Sequence, residues 1–457
     1  MKVIILGAGE VGRSMARGLL HEGNEVTLVD QDPDLLAGLG DKLEARKVCG
    51  HAAYPSVLLQ AGIEDADLVL AVTNSDETNM IACQVAHTLF HTPTRLARVR
   101  GASYLANPHL FKPESIPIDL VISPEELVTA AIEQLIEHPG ALQIIELGGG
   151  CACLVATRVD EGSRLIGEAA AGLPARLAHL GAHVVAIYRD LELLGPDQAT
   201  RLARGDELFL LSPGGRLRPL FKALGLGGKP SRRVTIAGGG NIGLRLARRV
   251  ERTHRVKVID PDPERCRHLA STLHRTIVLR GDGADPVLLS EEDIARTDVF
   301  CAVTNDEEIN ILSGMVAMRL GAKRVISIIN RPGYVNLAQG KAVDIAISPA
   351  HVTIGALLAH TRRGDVVSVH TLRRGTAELL EIIAHGDPDT SRVVGCRIGR
   401  IDLPAGVAVA GIIRVGELLP PDPDFSIQAK DRVIVFIADK RNLGAVEDLF
   451  RVAVTFL

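Results

Sequence analysis

From its second residue the chain alternates two hydrophobic patterns. Short aliphatic and β-branched runs, at Lys2–Leu6, Glu25–Asp30 and Arg46–Cys49, are separated by stretches in which apolar positions recur every three or four residues, from about Glu10 to Leu20 and through Leu35–Leu43. The first pattern reads as strands buried on both faces, the second as amphipathic helices. The alternation continues with a strand at Asp67–Ala71, a helix from Thr78 to Phe90, and strands near Arg95–Val99 and Leu120–Ile122. Strands spaced by helices in this way predict an α/β fold with a doubly wound parallel sheet. Ser123-Pro124-Glu125-Glu126 and Ser348-Pro349 each place a capping hydroxyl before a proline suited to the first helical turn, so a helix is expected to leave each sheet there.

The whole pattern is written twice. VIILGAGEVG at Val3–Gly12 returns as VTIAGGGNIG at Val234–Gly243, and VTLVD ending at Asp30 returns as VKVID ending at Asp260. DLVLAVTNSDETN at Asp67–Asn79 returns as DVFCAVTNDEEIN at Asp298–Asn310. Three matches in the same order point to a tandem duplication. After each presumptive crossover helix the pattern changes to shorter strands and turns, at Leu142–Leu147, Leu154–Val159, His183–Tyr188 and Glu207–Leu211, and again at Val366–Leu372, Leu379–Ile383, Ala408–Val415 and Arg432–Ile437. Each half therefore carries a small α+β module behind its parallel sheet. The expected division is 1–123, a crossover helix at 124–139, a small module at 140–224, a Gly- and Pro-rich linker at 225–231, then 232–348, 349–365 and 366–457.

Composition narrows the function. A chain of 457 residues with 46% hydrophobic and 23% charged residues suits several globular domains, and a formal net charge of −4 offers no basic field for nucleic acid. Aromatic residues are only 3% and tryptophan is absent, leaving few platforms for stacked bases, so no nucleic-acid partner is expected. The longest apolar runs fall far short of the roughly 20 residues that span a bilayer, and the N-terminus reads as a buried strand, so a cytoplasmic location is expected. The seven cysteines are scattered; the one close pair, Cys151 and Cys153, reads as a buried strand face, and no metal site is expected.

The candidate chemistry lies in the glycine motifs. A G-x-G-x-x-G sequence is weak evidence alone, but both copies follow a strand, open a helix and precede an acidic residue about 20 positions on, as a Rossmann dinucleotide site requires. Gly7 and Gly238 serve the tight turn, Gly9 and Gly240 let a pyrophosphate approach the backbone, and Gly12 and Gly243 allow close helix packing. Asp30 and Asp260 are placed to accept ribose hydroxyls and to repel a 2′-phosphate, which favours NAD or an adenosine nucleotide over NADP. Gly50-His51, matched by Gly281-Asp282, and Thr73-Asn74, matched by Thr304-Asn305, fall at carboxyl ends of strands, where open α/β sheets take ligands; ordinary turn chemistry explains them equally well.

With these residues in view, the chain resembles the paired regulator-of-potassium-conductance (RCK) modules of the Trk potassium-uptake family. LGAGEVG, the acidic strand end VD, AVTNSDETNM, the strand Ala97–Arg100, the Ser-Pro crossover and the small C-terminal module carry the resemblance, in duplicate. It implies two RCK-N domains that bind NAD or NADH, and ATP or ADP, each followed by an RCK-C module. It also implies a homo-oligomer, a tetramer in the family, seated beneath a potassium-translocating membrane subunit. The implied contacts are Gly7, Ala8, Gly9, Glu10, Val11, Asp30, His51, Thr73, Asn74 and Arg98 in the first half. In the second they are Gly238, Gly239, Gly240, Asn241, Ile242, Asp260, Asp282, Thr304 and Asn305. Ile328 stands where the first half has Arg98, and His51 where the second has Asp282, so the two sites are expected to differ in affinity or preferred nucleotide.

Two other readings compete. A fused NAD-dependent oxidoreductase would need an acid–base group beside the nicotinamide, and no Tyr four residues before a Lys or recognisable His spacing supplies one. A nucleotide-sensing scaffold for another transporter would use the same domains.

Overall fold

The structure is a computed structural model. It describes all residues except 22, 40–42, 162, 191, 195–199, 227–229, 330, 332–333, 336–337, 341, 350–351, 354–365, 373–376 and 453–457. The chain divides into two compact units: Met1–Val128 with Ile328–Gln339 and Ala346–Leu357, and Thr129–Ser327 with Gly340–Ile345 and Leu358–Leu457.

In the first unit, six strands form one parallel sheet in the order β3-β2-β1-β4-β5-β6: β1 Lys2–Leu6, β2 Glu25–Asp30, β3 Arg46–Cys49, β4 Leu68–Ala71, β5 Thr94–Arg98 and β6 Leu120–Ile122. The aliphatic run of β1 is buried from its second residue and β4 throughout, as expected for central strands covered on both faces. The strand order reverses between β1 and β4, so a crevice opens above their carboxyl ends, where the chain leaves β1 at Gly7 and β4 at Val72-Thr73. Two local readings differ from the sequence expectation. The second helix starts earlier, at Pro33, and runs to Ala37, where Gly38 donates its N–H to Asp34 O and Leu36 O; positions 40–42 of the expected helix lie outside the described residues. A further helix, Pro55–Ala61, goes unforeseen; it starts at a proline and ends at Gly62 in the left-handed region (φ 86°).

The second unit begins with an antiparallel sheet of β7 Ala141–Leu147, β8 Ala152–Arg158, β9 His183–Arg189, β10 Glu192–Leu194 and β11 Glu207–Pro213, in the order β10-β9-β11-β8-β7. Next comes the second parallel sheet, of β12 Arg233–Ala237, β13 Arg255–Asp260, β14 Ile277–Arg280, β15 Val299–Ala302, β16 Val325–Ile328 and β17 Ile345–Ile347, in the order β14-β13-β12-β15-β16-β17. It repeats the first sheet strand for strand. The last sheet, β18 Val366–Leu372, β19 Ala377–Ile383, β20 Val407–Arg414, β21 Glu417–Leu419 and β22 Arg432–Ile437, is ordered β18-β19-β22-β20-β21, the same topology as the first antiparallel sheet. The helix expected after Ser348-Pro349 lies mostly outside the described residues.

The two antiparallel sheets share one core. Ile145, Leu147, Leu154, Tyr188, Phe209 and Leu211 of the first pack with Leu372, Leu379, Ile413, Ile434 and Phe436 of the second. Burying such a face removes large aliphatic and aromatic areas from water, which neither small module achieves alone. Polar contacts fix the fit: His183 Nε2 lies 2.5 Å from Ala410 O, Gln143 Nε2 donates to Thr371 O at 3.2 Å, and Gly148 N–H donates to Glu381 Oε2 at 3.2 Å. Elsewhere in this unit, buried Arg324 donates to the carbonyls of Leu135 (2.8 Å), His138 and Ala141. It thereby satisfies acceptors left open where the helix Pro124–Glu137 ends. Burial lowers its guanidinium to about 10, so it stays charged at neutral pH.

Candidate nucleotide-binding site

Each glycine loop is built by its own sheet. Gly7 sits at φ 110° and Gly238 at φ 108°, backbone conformations that a side chain rarely adopts. This turn sends Gly7 N–H to Val29 O (2.8 Å) and Gly238 N–H to Ile259 O (2.9 Å), pinning the loop to the neighbouring strand. A Cβ at Gly12 would lie 1.9 Å from Gly7 O, and one at Gly243 would lie 1.9 Å from Gly238 O, so both helices enter as close to the turn as backbone permits. At Gly9 and Gly240 nothing lies within 4 Å of where a Cβ would stand. The loop is therefore crowded where it is structural and open where a ligand's phosphates would approach.

Asp30 and Asp260 anchor these loops. Asp30 Oδ2 accepts the Ala8 N–H at 2.6 Å and Oδ1 accepts the Asp32 N–H at 3.0 Å; Asp260 Oδ2 accepts Gly239 N–H at 2.7 Å and Oδ1 accepts Asp262 N–H at 2.9 Å. A carboxylate oxygen has two lone pairs, so each retains capacity for a ribose hydroxyl. The sequence motif does not reveal this second duty, in which the sugar-reading carboxylate also shapes the loop. The loops differ at one step: a Cβ at Gly239 would stand 2.4 Å from Leu269 Cδ1, whereas Ala8 is accommodated as a buried methyl.

The Thr-Asn segments border the same crevice. A Cβ at Gly7 would lie 2.9 Å from Thr73 N, and one at Gly238 would lie 2.9 Å from Thr304 N. Thr73 is engaged with Asn79, whose Oδ1 accepts the Thr73 N–H (2.9 Å) and lies 2.7 Å from Thr73 Oγ1, and whose amide donates to Thr73 O and to Arg98 O. Thr304 and Asn310 repeat the arrangement at 2.8 and 2.7 Å. These buried asparagines carry no motif of their own; the one signal in the sequence is that each stands six positions after its threonine in both copies. Asn74 and Asn305 are exposed at the rim. His51 and Asp282 sit on the loops after β3 and β14; His51 Nδ1 accepts Ala53 N–H at 3.3 Å and its ring lies 4.5 Å from that of Tyr54, while Asp282 Oδ1 accepts Ala284 N–H at 2.9 Å. Glu10 and Val11, like Asn241 and Ile242, open the helices that follow the loops.

Arg98 ends β5 and is paired: its Nη2 lies 3.0 Å from Glu125 Oε1, with both side chains mostly buried. Arg100 donates to Asn74 O and lies 3.5 Å from Asp76 Oδ1, bringing a second guanidinium to this edge. In the sequence, Arg100 and Glu125 are signalled only by the ARVR strand and the Ser-Pro-Glu helix start. In the second half, strand register puts Ser327 opposite Ala302 as Ala97 stands opposite Ala71, so buried Ile328 occupies Arg98's place.

Two strand–glycine–helix loops, each closed by an acidic strand end and each followed by the same small antiparallel module, restrict the family sharply. The TrkA-N domain matches residues 3–124 and 234–349, and the TrkA-C domain matches 154–225 and 387–451. The chain belongs to the TrkA family. It is similar to the Trk system potassium uptake protein TrkA of Halomonas elongata, 49% identical over 456 residues and covering 100% of both chains. The Vibrio alginolyticus protein of the same description is 47% identical over 458 residues, again covering 100% of both. Among solved structures, the GsuK RCK domain shares the fold at 18% identity with a TM-score of 0.64, over 98% of this chain and 94% of that one. The GsuK channel bound to NAD is similar at 18% identity and a TM-score of 0.63, over 97% of this chain and 79% of that one. This TrkA-family chain thus carries the family's N and C domains in tandem duplicate.

Proposed function

We propose that this chain is the cytoplasmic regulatory subunit of a Trk-type potassium uptake system, and that it binds NAD or NADH, and ATP or ADP, at its two glycine loops to gate a potassium-translocating membrane subunit. The observation that carries the reading is the loop itself: twice, a carboxylate at a strand end holds a loop N–H while the middle glycine faces open space. The full-length likeness to proteins named for Trk potassium uptake supports the system, and the NAD-bound GsuK channel supports the ligand. On this reading 1–123 and 232–348 are the nucleotide-binding domains, 140–224 and 366–457 the small modules, and 124–139, 225–231 and 349–365 their connections. No described helix is long and apolar enough to cross a membrane; on this reading the chain is held at the membrane by its partner. Apolar side chains left exposed on equivalent helices, Ile81 and Leu89 in the first half and Ile309, Leu312 and Met315 in the second, favour assembly with further copies, the tetramer being the family's number. Regulation follows from differential affinity: a nucleotide shifts the assembly only as far as it binds one arrangement better than another. The protein is on this reading not an enzyme.

The test is calorimetry of NADH, NAD, ATP, ADP and NADPH against the full chain, Asp30→Ala and Asp260→Ala. Each substitution is expected to weaken NADH at its own site about 30-fold, the equivalent of about 2 kcal/mol of charge-assisted hydrogen bonding. Absence of nucleotide binding to the unaltered chain would refute the proposal; turnover of an alcohol or hydroxy acid with NAD would favour the oxidoreductase instead. The Arg98–Glu125 pair yields a second expectation. Glu125→Gln frees a guanidinium for a nucleotide phosphate and is expected to tighten ATP binding at the first site about tenfold. Unchanged ATP affinity in titrations of that variant would remove Arg98 from the phosphate contacts.

A further inference from the structure

The second compact unit contains a cavity of about 560 Å³ that belongs to neither glycine loop. It opens where the helix Pro124–Glu137 ends, against the helix Leu217–Leu224 and Pro230. Its chemistry is carried by Glu137, His138, Arg164, Arg218, Phe221 and Lys222. Three cations thus face a single carboxylate, and among the described residues Arg164, Arg218 and Lys222 make no side-chain ion pair. Arg218 and Lys222 stand one turn apart on the same helix face, where like charges repel. The rings of His138 and Phe221 lie with centroids 6.3 Å apart and planes 28° from parallel, so two aromatic rings line the cavity. His138 Nδ1 is buried without a hydrogen-bond partner. Burial, aided by Arg218, holds this imidazole below its ordinary pKa, so it is neutral at pH 7.

The fold does not need these cations. In the duplicate helix, Leu443–Phe450, aligning the first residues puts Gly444 at the place of Arg218, Glu447 at that of Phe221 and Asp448 at that of Lys222; Arg392 retains the place of Arg164. The same module is therefore built once with a cationic, aromatic wall and once with an acidic one. We propose that the cavity is a ligand site for a small phosphorylated molecule bearing a flat ring, its phosphate held by Arg164, Arg218 and Lys222 and its ring laid against Phe221 and His138. The volume falls within the roughly 300–1,000 Å³ of small-molecule sites. An anion relieves the Arg218–Lys222 repulsion, and a polar atom of the ligand meets His138 Nδ1.

The experiment titrates the full chain by calorimetry with phenyl phosphate and, separately, with inorganic phosphate. Phenyl phosphate is expected to bind a site that weakens tenfold or more in the Arg218→Gln/Lys222→Gln double variant and in Arg164→Gln, but is unchanged in Asp30→Ala and Asp260→Ala. All three cations are exposed at the surface, so the variants are expected to melt like the parent. Inorganic phosphate is expected to bind at least tenfold more weakly; equal affinity overturns the role of the ring wall. Binding indifferent to the cation substitutions, or lost instead with Asp30 or Asp260, overturns the site, as does the absence of binding.

Discussion

Gly12→Ala is expected to destabilise the first parallel-sheet domain by about 3 kcal/mol and to remove nucleotide binding there, with Gly243→Ala doing the same in the second half. The added methyl would stand 1.9 Å from a backbone carbonyl oxygen, that of Gly7 or Gly238. No side chain is available to move aside. The helix must back away from the turn, and its N–H groups leave the positions from which they would meet a phosphate. Gly9→Ala separates architecture from ligand, because its methyl enters open space. Stability is expected to change by no more than about 0.5 kcal/mol, while NADH binding at that site is lost to the methyl in the pyrophosphate's path. Scanning calorimetry and NADH titration of both variants check the pair. A stable Gly12→Ala protein would contradict the close approach, and a Gly9→Ala protein binding NADH normally would exclude pyrophosphate from that glycine.

Acidification is expected to loosen the paired small modules. His370 on β18 is half-buried, lies 3.2 Å from Ser368 Oγ, and is pushed down to about 4 by desolvation, against the opposing pull of Glu381. Glu381 is itself committed to Arg432 and to the Gly148 N–H, which limits its ability to stabilise an imidazolium. An unfolded chain protonates this histidine near its ordinary value of about 6.5. The folded pKa is therefore depressed: its contribution to stability is complete above pH 6.5 and is lost as pH falls towards 4, by up to about 3 kcal/mol. His183, also lowered by burial where it meets Ala410, acts in the same direction. Melting curves between pH 7.5 and 4.5 are expected to show a steep loss that His370→Gln flattens. A pH-independent melting temperature, or one that rises on acidification, would mean that the histidine is not held neutral.

The residues legible in advance are those whose partners are near in sequence or whose pattern is periodic. Gly7, Gly12 and Asp30 act on one another across a single strand–helix–strand unit, and the spacing alone implies the turn. Asn79 is not legible because a polar residue inside a helix looks like any other; its importance comes from reaching the ends of two strands at once. Arg98 is among the nucleotide contacts the resemblance implies, while its pairing with Glu125 depends on where the helix after β6 begins, a distance that spacing does not encode. The helix Pro55–Ala61 is not legible because it is too short to show a clear period.

The sequence by itself determined the duplication, the alternation of strand and helix, the parallel sheets and the two glycine loops, since these follow from periodicity and from contacts within one repeat unit. Only the tertiary structure decided that the two small modules bury their apolar faces against each other, with His183 meeting Ala410 across 227 residues of chain. It likewise decided that Arg324 would serve the carbonyls at the end of a helix in the other half, and that Arg164, Arg218 and Lys222 would line one cavity. An alternating strand announces that it has an apolar face, and a cation that it is charged. Which surface covers that face, and which charges converge, depends on how distant segments pack, and hydrophobic burial is non-directional until the packed shapes select one partner.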